Sequence, residues 1–479
     1  MKQQWMIVMG LLWWLPMNLY SQTAIDEAIT VMNLWLDAQK DFDNLPGISA
    51  ALVRDQDLLW SKGFGWADQD NQVPARADTK YSICSISKLF TSIAVMQLYE
   101  DGKLRLDDSI EDLLPWYDLN QHFNESGPIT IRSLLTHSSG LPRESAFAYW
   151  SQPDFEFPGI EQIRDSLRSQ ETLYPASTYF QYSNLGMTLL GEVVATVSKM
   201  PYGDYISKFI LEPLDMKNTE TYLPTNEWRS TLATGYSAED RQGKRKMLDL
   251  FDAKGVAAAA GFSSTVEDLA KFAAWQFRLL KDGGKEVLKA STLKYMQQVH
   301  WMDPDWKTSW GLGFSIWEEN GHSMVGHGGS CPGYRSTIVI DPVKRVAAVI
   351  MINAQAVNPS KYAKGILALL AKAVNETATA DSLQLDRYTG IYDNQPWWPE
   401  EAIVKWQGKL ASIPLPSTDP AGEMSLMKQE KANIFHRLRK DSSLGEEIRF
   451  ETDQSGEVEK YWQHNNYYER SRELPDLDR

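Results

Sequence analysis

The chain has 479 residues, of which 43% are hydrophobic, and its formal net charge is −15. This length exceeds that of one ordinary domain, and the hydrophobic fraction is enough for a sizeable core. The acidic balance argues against nucleic-acid binding, which needs a basic surface, and is compatible with a small-molecule or peptide substrate.

Residues 1–21 have the organisation of a secretory signal peptide. Lys2 supplies a positive start, residues 5–15 form an apolar run too short to span a bilayer, and Ser21 is a small residue before a cut ahead of Gln22. An uncleaved anchor is the alternative. We predict a periplasmic or secreted protein with no membrane span after signal removal.

Hydrophobic periodicity then predicts a helix, a hairpin and a second helix. Residues 25–40 have helical spacing, and residues 47–53 and 58–66 are strand-like runs around a turn. The second helix starts at Ser85 and stops at Gly102, a residue suited to a left-handed cap. This order predicts an α+β fold, with helices packed on an antiparallel sheet.

The second helix carries the tetrad Ser85-Ile86-Ser87-Lys88. Ser85 and Lys88 share a helix face, and a partly desolvated lysine can be the base that a serine nucleophile needs. The tetrad is weak evidence alone, because Ser291-Thr292-Leu293-Lys294 has the same form and is assigned no role.

The middle of the chain has a second candidate motif. Residues 129–142 predict a short helix that ends in a loop at Gly140 and Pro142. Aromatic residues between 143 and 180 favour core over pocket wall. Tyr182-Ser183-Asn184 precedes a helix over residues 185–198, which Asn184 could cap; capping leaves Tyr182 unexplained. Tyr392-Asp393-Asn394 repeats the form elsewhere.

Strand-like runs return late in the chain. A capping arrangement at Thr265 opens a helix, and another helix covers residues 291–299. Predicted strands are 310–317, 323–329, 334–340 and 345–353, followed by a helix over 359–374. Within the second strand, glycines surround His327, and glycines in a strand often mark close approach by another chain or a ligand. His327 alone could be an ordinary polar residue.

The C-terminal part changes character after a polar linker at residues 375–381. Residues 402–406 and 447–450 alternate like strands, and residues 453–456 form a hairpin turn. We predict a small antiparallel β domain over 378–479, and a barrel is one arrangement that such strands can form. It would follow a signal peptide at 1–21 and a main domain over 22–377.

The cysteines and histidines give limited information. Cys84 and Cys331 could pair in an exported protein, but two cysteines far apart in sequence do not establish a disulfide, and free small apolar residues are the favoured interpretation. The seven histidines are scattered, with no cluster at ligand spacing, so we expect no metal and no cofactor.

Three motifs therefore stand in order: Ser85-Ile86-Ser87-Lys88, Tyr182-Ser183-Asn184 and His327-Gly328-Gly329. This order resembles the serine β-lactamase and penicillin-binding-protein superfamily. The Tyr-x-Asn form is similar to the class C branch and its carboxypeptidase, D-aminopeptidase and esterase relatives. The resemblance covers roughly residues 25–375 and implies a β-lactamase/transpeptidase-like fold with an all-helical subdomain.

The resemblance also implies roles for the motif residues. Ser85 would be the acylated nucleophile, and Lys88 and Tyr182 would share the general-base and proton-relay work. Asn184 would orient the substrate and Lys88. His327, in place of the lysine usual in class C enzymes, would bind a substrate carboxylate or assist proton transfer.

The oxyanion hole would come from two backbone N–H groups, those of Ser85 and Ser330, and Gly329 would leave room for substrate along the strand edge. We therefore predict an exported serine hydrolase that acts through a Ser85 acyl-enzyme on an amide, peptide or ester. Histidine at position 327 favours a peptidase or esterase over a β-lactamase. The alternative is a non-catalytic sensor or cell-wall-fragment binding protein on the same fold. The sequence leaves the acyl donor and the oligomeric state open.

Overall fold

The structure is a computed structural model that describes residues 5–151, 155–319, 321–376 and 385–475, with side chains from residue 22 onward. The chain divides into two compact units, one of residues 45–363 and one that combines residues 1–44 with residues 364–479. The domain boundary predicted at 377/378 lies outside the described residues and stays a prediction.

The unit of residues 45–363 contains the main sheet. Its strands are β1 (Gly47–Arg54), β2 (Asp57–Asp68), β3 (Val73–Pro74), β4 (Tyr81–Ser82), β5 (Ser263–Ser264), β6 (Lys285–Glu286), β7 (Leu288–Lys289), β8 (Trp301–Met302), β9 (Ser309–Trp310), β10 (Ser315–Glu319), β11 (His322–Cys331), β12 (Tyr334–Asp341) and β13 (Val346–Ile352). In the described part of this unit, nine of them form one antiparallel sheet in the order β3-β2-β1-β13-β12-β11-β10-β9-β8.

Chain order and sheet order differ because β1 pairs with β13, from Ile48 opposite Ile352 to Arg54 opposite Val346. This pairing joins the N-terminal hairpin to the late strands. The predicted antiparallel sheet with helices packed on it is therefore confirmed.

Helices flank this sheet and fill the region between β4 and β5. They are α2 (Ser87–Glu100), α3 (Ile110–Leu113), α4 (Ile131–Leu135), α5 (Ile160–Ser166), α6 (Asn184–Ser198), α7 (Tyr202–Ile206), α8 (Ala257–Ala260), α9 (Val266–Asp282) and α10 (Ala290–Met296). Helix α1 (Trp5–Phe42) belongs to the other unit, and α11 (Pro359–Asn375) begins in this unit and continues into the other. The described residues between β4 and β5 add no strand to the main sheet, as expected for the all-helical subdomain.

Helix α2 is the central helix of this unit. Every residue from Ser87 to Met96 is buried, since α2 packs against α6 and α8. A helix buried on all sides positions its polar side chains firmly, because they have no solvent-exposed alternative. The helix ends at Glu100 with Asp101 as its C-cap, and Gly102 has a φ of +68°, as the predicted left-handed cap requires.

The structure corrects the N-cap residue predicted for α6. Ser183, not Asn184, caps α6, because its side chain accepts a hydrogen bond from the backbone N–H of Gly186. Asn184 is the first helical residue, and its side chain is free to serve the site. The cap predicted at Thr265 is confirmed, since its hydroxyl accepts from the N–H of Asp268.

One strand that the sequence predicted as continuous is interrupted in the structure. Residues 310–317 form two strands, β9 and β10, rather than one. The chain turns between them, where Gly313 has a φ of +87° and donates its N–H to Leu135 O. A Cβ at Gly313 would also lie 2.1 Å from Ser92 Oγ, so the turn requires glycine.

Helix α1 contains the predicted helix of residues 25–40 and also most of the predicted signal segment. Ile25, Met32, Trp35 and Leu36 are buried, as the helical spacing predicted for residues 25–40 requires. Cleavage after Ser21 stays a prediction. Among the residues that the structure describes, no helix has the length and apolar character needed to cross a membrane.

The C-terminal residues form a closed antiparallel barrel. Its strands are β14 (Gly390–Asp393), β15 (Glu400–Trp406), β16 (Lys409–Leu415), β17 (Ser425–Lys431), β18 (Ile434–Leu438), β19 (Leu444–Thr452), β20 (Val458–Gln463) and β21 (Asn466–Arg472). Side chains such as Tyr392, Phe435 and Phe450 pack inside it. The predicted small β domain is confirmed, while most of the predicted linker lies outside the described residues.

Candidate active site

Ser85 lies on a tight turn in front of α2. The turn, Cys84–Ile86, is a 3₁₀ helix, so the predicted α-helix begins two residues later than Ser85. Cys84 has a φ of +53°, uncommon for a residue with a side chain. Hydrogen bonds hold the turn: Ile83 N–H donates to Phe262 O over 2.9 Å, and Ser87 Oγ donates to Cys84 O over 2.6 Å.

Lys88 reaches Ser85 from the first turn of α2. Its Nζ lies 3.0 Å from Ser85 Oγ, 2.8 Å from Asn184 Oδ1 and 2.7 Å from Ala259 O. Burial lowers the pKa of Lys88 well below its usual value, and the charge of Arg143 lowers it further, while Glu144 opposes the shift. The amine is therefore disposed to be neutral.

The neighbours of Lys88 orient a neutral amine. Two of them, Asn184 Oδ1 and Ala259 O, can only accept, so the two N–H groups are directed to them. The lone pair is then left for the third neighbour, the Ser85 hydroxyl. This geometry equips Lys88 to take the proton of Ser85.

Glu144 fixes the orientation of Asn184. Asn184 Nδ2 donates to Glu144 Oε1 over 2.7 Å, and the hydroxyl of Tyr149 donates to the other carboxylate oxygen. Because the carboxylate can only accept, the amide must present its Oδ1 to Lys88.

Tyr182 lies beside Lys88 and Ser85. Lys88 Nζ and the Arg143 guanidinium each lie 4.9 Å from the centroid of the Tyr182 ring. The centroid of the His137 ring lies 4.2 Å from it. Burial raises the pKa of Tyr182, whereas a hydrogen bond with the Ser85 side chain and the charge of Arg143 lower it. A protonated phenol against Ser85 can deliver a proton to a group that leaves from there.

His327 lies on β11, whose pairing with β10 ends at Gly326. Its Nδ1 is 2.6 Å from Gly328 O, so Nδ1 carries a proton. Burial, followed by the charge of Lys88, lowers the pKa of His327 to about 3, so the ring is neutral at pH 7 and Nε2 holds a lone pair. Nε2 is buried without a hydrogen-bond partner among the described residues.

Gly329 is required by a close approach. A Cβ there would lie 2.3 Å from Ile83 O and 2.1 Å from Ser336 Oγ, which itself donates to Ile83 O. The predicted close approach is confirmed at Gly329, where the approaching segment is Ile83, directly before the Cys84–Ile86 turn.

Cys84 and Cys331 form a disulfide, so the favoured prediction of two free cysteines is wrong. Their Cα atoms are 5.6 Å apart, across 247 residues of sequence. The bond joins the residue before Ser85 to the residue after Ser330, so it ties together the two residues expected to supply the oxyanion hole.

Two cavities open on Ser85. The Glu144 cavity, about 490 Å³, is lined by Glu144, Asn184, Trp150 and Phe155 as well as Ser85. The Arg335 cavity, about 300 Å³, is lined by Arg335, Tyr182 and His327 as well as Ser85. All seven predicted site residues line or adjoin these cavities. Among the described residues, no cluster of three His, Cys, Asp or Glu could hold a metal.

Sequence reasoning missed Arg143, Glu144, His137 and Arg335. A charged pair directly after Leu141-Pro142 was a usable signal, because polar residues in a loop next to a candidate site are often functional. Arg335 had no sequence signal beyond its place on a predicted strand.

Comparison with known proteins places the chain in context. The family model "Beta-lactamase" matches residues 35–373. "Protein flp" of Staphylococcus aureus (strain MW2) is 26% identical over 322 residues, 66% of this chain, and the match covers 61% of that relative, less than two thirds of its length. The octameric penicillin-binding protein homologue from Pyrococcus abyssi has a TM-score of 0.63 and 25% identity, with 91% of this chain and 98% of that chain covered. A β-lactamase/D-alanine carboxypeptidase from Yersinia pestis, at 21% identity and a TM-score of 0.60, shares the fold over 75% of this chain and 99% of its own.

Proposed function

The chain belongs to the β-lactamase family, whose members are serine hydrolases, and from this premise we propose that it hydrolyses an amide, peptide or ester through an acyl-enzyme on Ser85. The observation that carries the proposal is the position of Lys88. A buried amine with two acceptors and one hydroxyl around it is equipped as a base toward that hydroxyl.

The proposed reaction has two halves. Ser85 Oγ attacks the carbonyl carbon while its proton moves to Lys88 Nζ, and the backbone N–H groups of Ser85 and Ser330 receive the oxyanion. Collapse breaks the carbonyl bond to nitrogen or oxygen, and the leaving group takes a proton from Tyr182, which is restored from Lys88. Water then attacks the ester on Ser85 and releases the acid, with the proton returned to Ser85.

The two cavities give each half of the substrate a place. Asn184 and Glu144 lie on the side of the acyl group, and Tyr182 and His327 on the side of the leaving group. The neutral Nε2 of His327 is an acceptor, which suits proton transfer better than carboxylate binding. Export to the periplasm or medium is part of the proposal and is supported by the signal pattern of residues 1–21.

The test is the Ser85→Ala variant, measured with a small activated ester and by intact mass after mixing with a penicillin. We expect ester hydrolysis to fall by about a thousandfold or more, and any mass adduct to be absent from the variant. Tyr81 is buried next to the turn, so unchanged near-UV circular dichroism would show that the variant is folded. Full activity in Ser85→Ala would overturn the proposal.

A further inference from the structure

His137 occupies a position just after α4 that a helix end commonly gives to glycine. Its φ is +55°, and its N–H donates to Leu134 O over 3.3 Å. The next N–H, that of Ser138, donates to Ser133 O over 2.8 Å. These two bonds form a Schellman motif, in which the left-handed residue is usually glycine because glycine has no Cβ. The backbone alone therefore does not explain a histidine here, and the explanation lies in what its side chain contacts.

His137 contacts three consecutive residues centred on Tyr182. Gln181 N–H donates to His137 O over 2.7 Å, and Ser183 N–H donates to His137 Nδ1 over 3.2 Å. Between these two bonds, the ring of Tyr182 lies against the ring of His137, with 4.2 Å between the centroids and 34° between the planes. One residue thus holds the backbone on both sides of Tyr182 and one face of its ring.

The His137 ring is itself fixed in place. It is buried, with 1% of the residue exposed, and the ring of Trp310 packs against it with 5.2 Å between the centroids. Burial lowers the pKa of His137 well below its usual value, so the ring is neutral at pH 7. Because Nδ1 accepts the Ser183 N–H, the ring proton lies on Nε2. The position of this ring therefore determines where the Tyr182 ring can lie.

The phenol of Tyr182 depends on accurate placement. A proton donor must lie within hydrogen-bond reach of the leaving atom, and a displacement of about 1 Å can cost about a hundredfold in rate. We propose that His137 is a positioning residue that holds the Tyr182 hydroxyl against Ser85. His137 lines neither the Glu144 cavity nor the Arg335 cavity, so it acts through Tyr182 rather than on the substrate. This inference rests on the proposed function, in which Tyr182 protonates the leaving group.

The test compares an amide and a nitrophenyl ester that share one acyl group, since only the amide needs the proton from Tyr182. His137→Gly keeps the left-handed backbone and the carbonyl that binds Gln181, but it removes the ring and Nδ1. We expect kcat/KM for the amide to fall by about ten- to a hundredfold, and kcat/KM for the ester to fall much less. His137→Asn should recover part of the loss, because asparagine tolerates the left-handed conformation and its amide oxygen can replace Nδ1 as the acceptor.

A double-mutant cycle with Tyr182→Phe separates positioning from general damage to the site. Once the phenol hydroxyl is gone, His137→Gly should reduce amide hydrolysis by less than about a further threefold. The same cycle is run with His137→Asn, which keeps the test intact even where the glycine variant does not fold. Lys199→Gly is the matched control, because Lys199 is an exposed left-handed residue, with a φ of +58°, at the end of α6. It should leave the amide-to-ester ratio at the wild-type value.

The acceptor role of Nδ1 has a readout that does not depend on activity. In ¹⁵N-histidine NMR spectra, the His137 signals are those that His137→Asn lacks, and they should show the Nε2–H tautomer at about pH 7. A protonated Nδ1, equal losses on both substrates in His137→Gly, or the same amide loss with and without the Tyr182 hydroxyl overturns the positioning role and leaves Ser85 as the nucleophile. Full activity in Ser85→Ala overturns the proposed function instead.

Discussion

Asn184 Nδ2 donates to Glu144 Oε1 over 2.7 Å, while Asn184 Oδ1 lies 2.8 Å from Lys88 Nζ. The glutamate therefore acts on the lysine in two ways. It sets which end of the amide faces Lys88, and its negative charge raises the pKa of Lys88 against the larger effect of burial.

Replacing Glu144 by Gln should separate these two effects. Gln can still present an oxygen to Asn184 Nδ2, but the charge that raises the pKa of Lys88 is lost. The pKa of Lys88 should therefore fall further, and the base form should persist to lower pH. We expect the acidic limb of the pH profile of kcat/KM to move to lower pH, measured with an activated ester.

Glu144→Ala removes the acceptor as well as the charge. It should lower kcat by about ten- to a hundredfold, because the amide of Asn184 is no longer fixed. Glu125→Gln, at an exposed position, is the matched control and should leave the pH profile in place. An unshifted profile in Glu144→Gln would mean that Lys88 is not the group that titrates in the rate.

Tyr182→Phe tests the phenol as proton donor. An amide leaving group needs a proton as it departs, whereas a nitrophenolate does not. The variant should therefore lose about 10²- to 10⁴-fold in amide or peptide hydrolysis and much less with a nitrophenyl ester. The two rates are compared on one preparation, so the protein concentration cancels.

Tyr179→Phe serves as its control, since Tyr179 is 58% exposed. Equal losses on both substrates would show that Tyr182 acts before the leaving step, as the base for Ser85. Unchanged rates on both would assign the proton transfers to Lys88 alone.

The sequence predicted the proposed catalytic residues better than the residues that position them. Ser85 and Lys88 are three apart in sequence, so local spacing was enough to find them. Glu144 lies 40 residues before Asn184, and their contact depends on how the loop after Pro142 packs on α6. No periodicity encodes such a contact.

Local patterns also misled where two neighbours could fill one role. Asn184 and Ser183 are both good N-cap residues, and only the structure shows that Ser183 caps α6. Likewise, residues 310–317 read as one strand because the break at Gly313 depends on a hydrogen bond to Leu135, which is distant in sequence. The sequence did predict that the C-terminal domain is an antiparallel β domain. Apolar and polar residues alternate along its strands, and residues typical of turns lie between them.

The protonation of His327 is open to direct measurement. Burial lowers its pKa to about 3, so on acidification the ring should stay neutral until far below the usual histidine range. In ¹⁵N-histidine NMR spectra, the His327 signals are those that the wild-type protein shows and the His327→Gln variant lacks. These signals should show the Nδ1–H tautomer from about pH 5 to about pH 8. The signals of exposed His122, identified by His122→Gln, provide a comparison within the same spectra. A His327 signal that titrates near neutrality would contradict the tautomer that the Gly328 contact fixes.

The disulfide should matter for both stability and rate, because Cys84 precedes Ser85 and Cys331 follows Ser330. Alkylation of the unfolded, unreduced protein should add no mass, since both cysteines are paired. The double variant Cys84→Ala/Cys331→Ala should lose up to about 5 kcal/mol of unfolding free energy in the chain-entropy model, because the closed loop is long. It should also lose about tenfold or more in kcat, because the two oxyanion donors are no longer tied to each other.

Reductant added to wild-type protein should reproduce the loss of rate and leave the double variant unaffected. Full activity in the double variant, at a temperature where it is folded, would show that the disulfide is not needed. Hydrogen bonds such as Ser336 Oγ to Ile83 O would then be enough to position the Cys84–Ile86 turn.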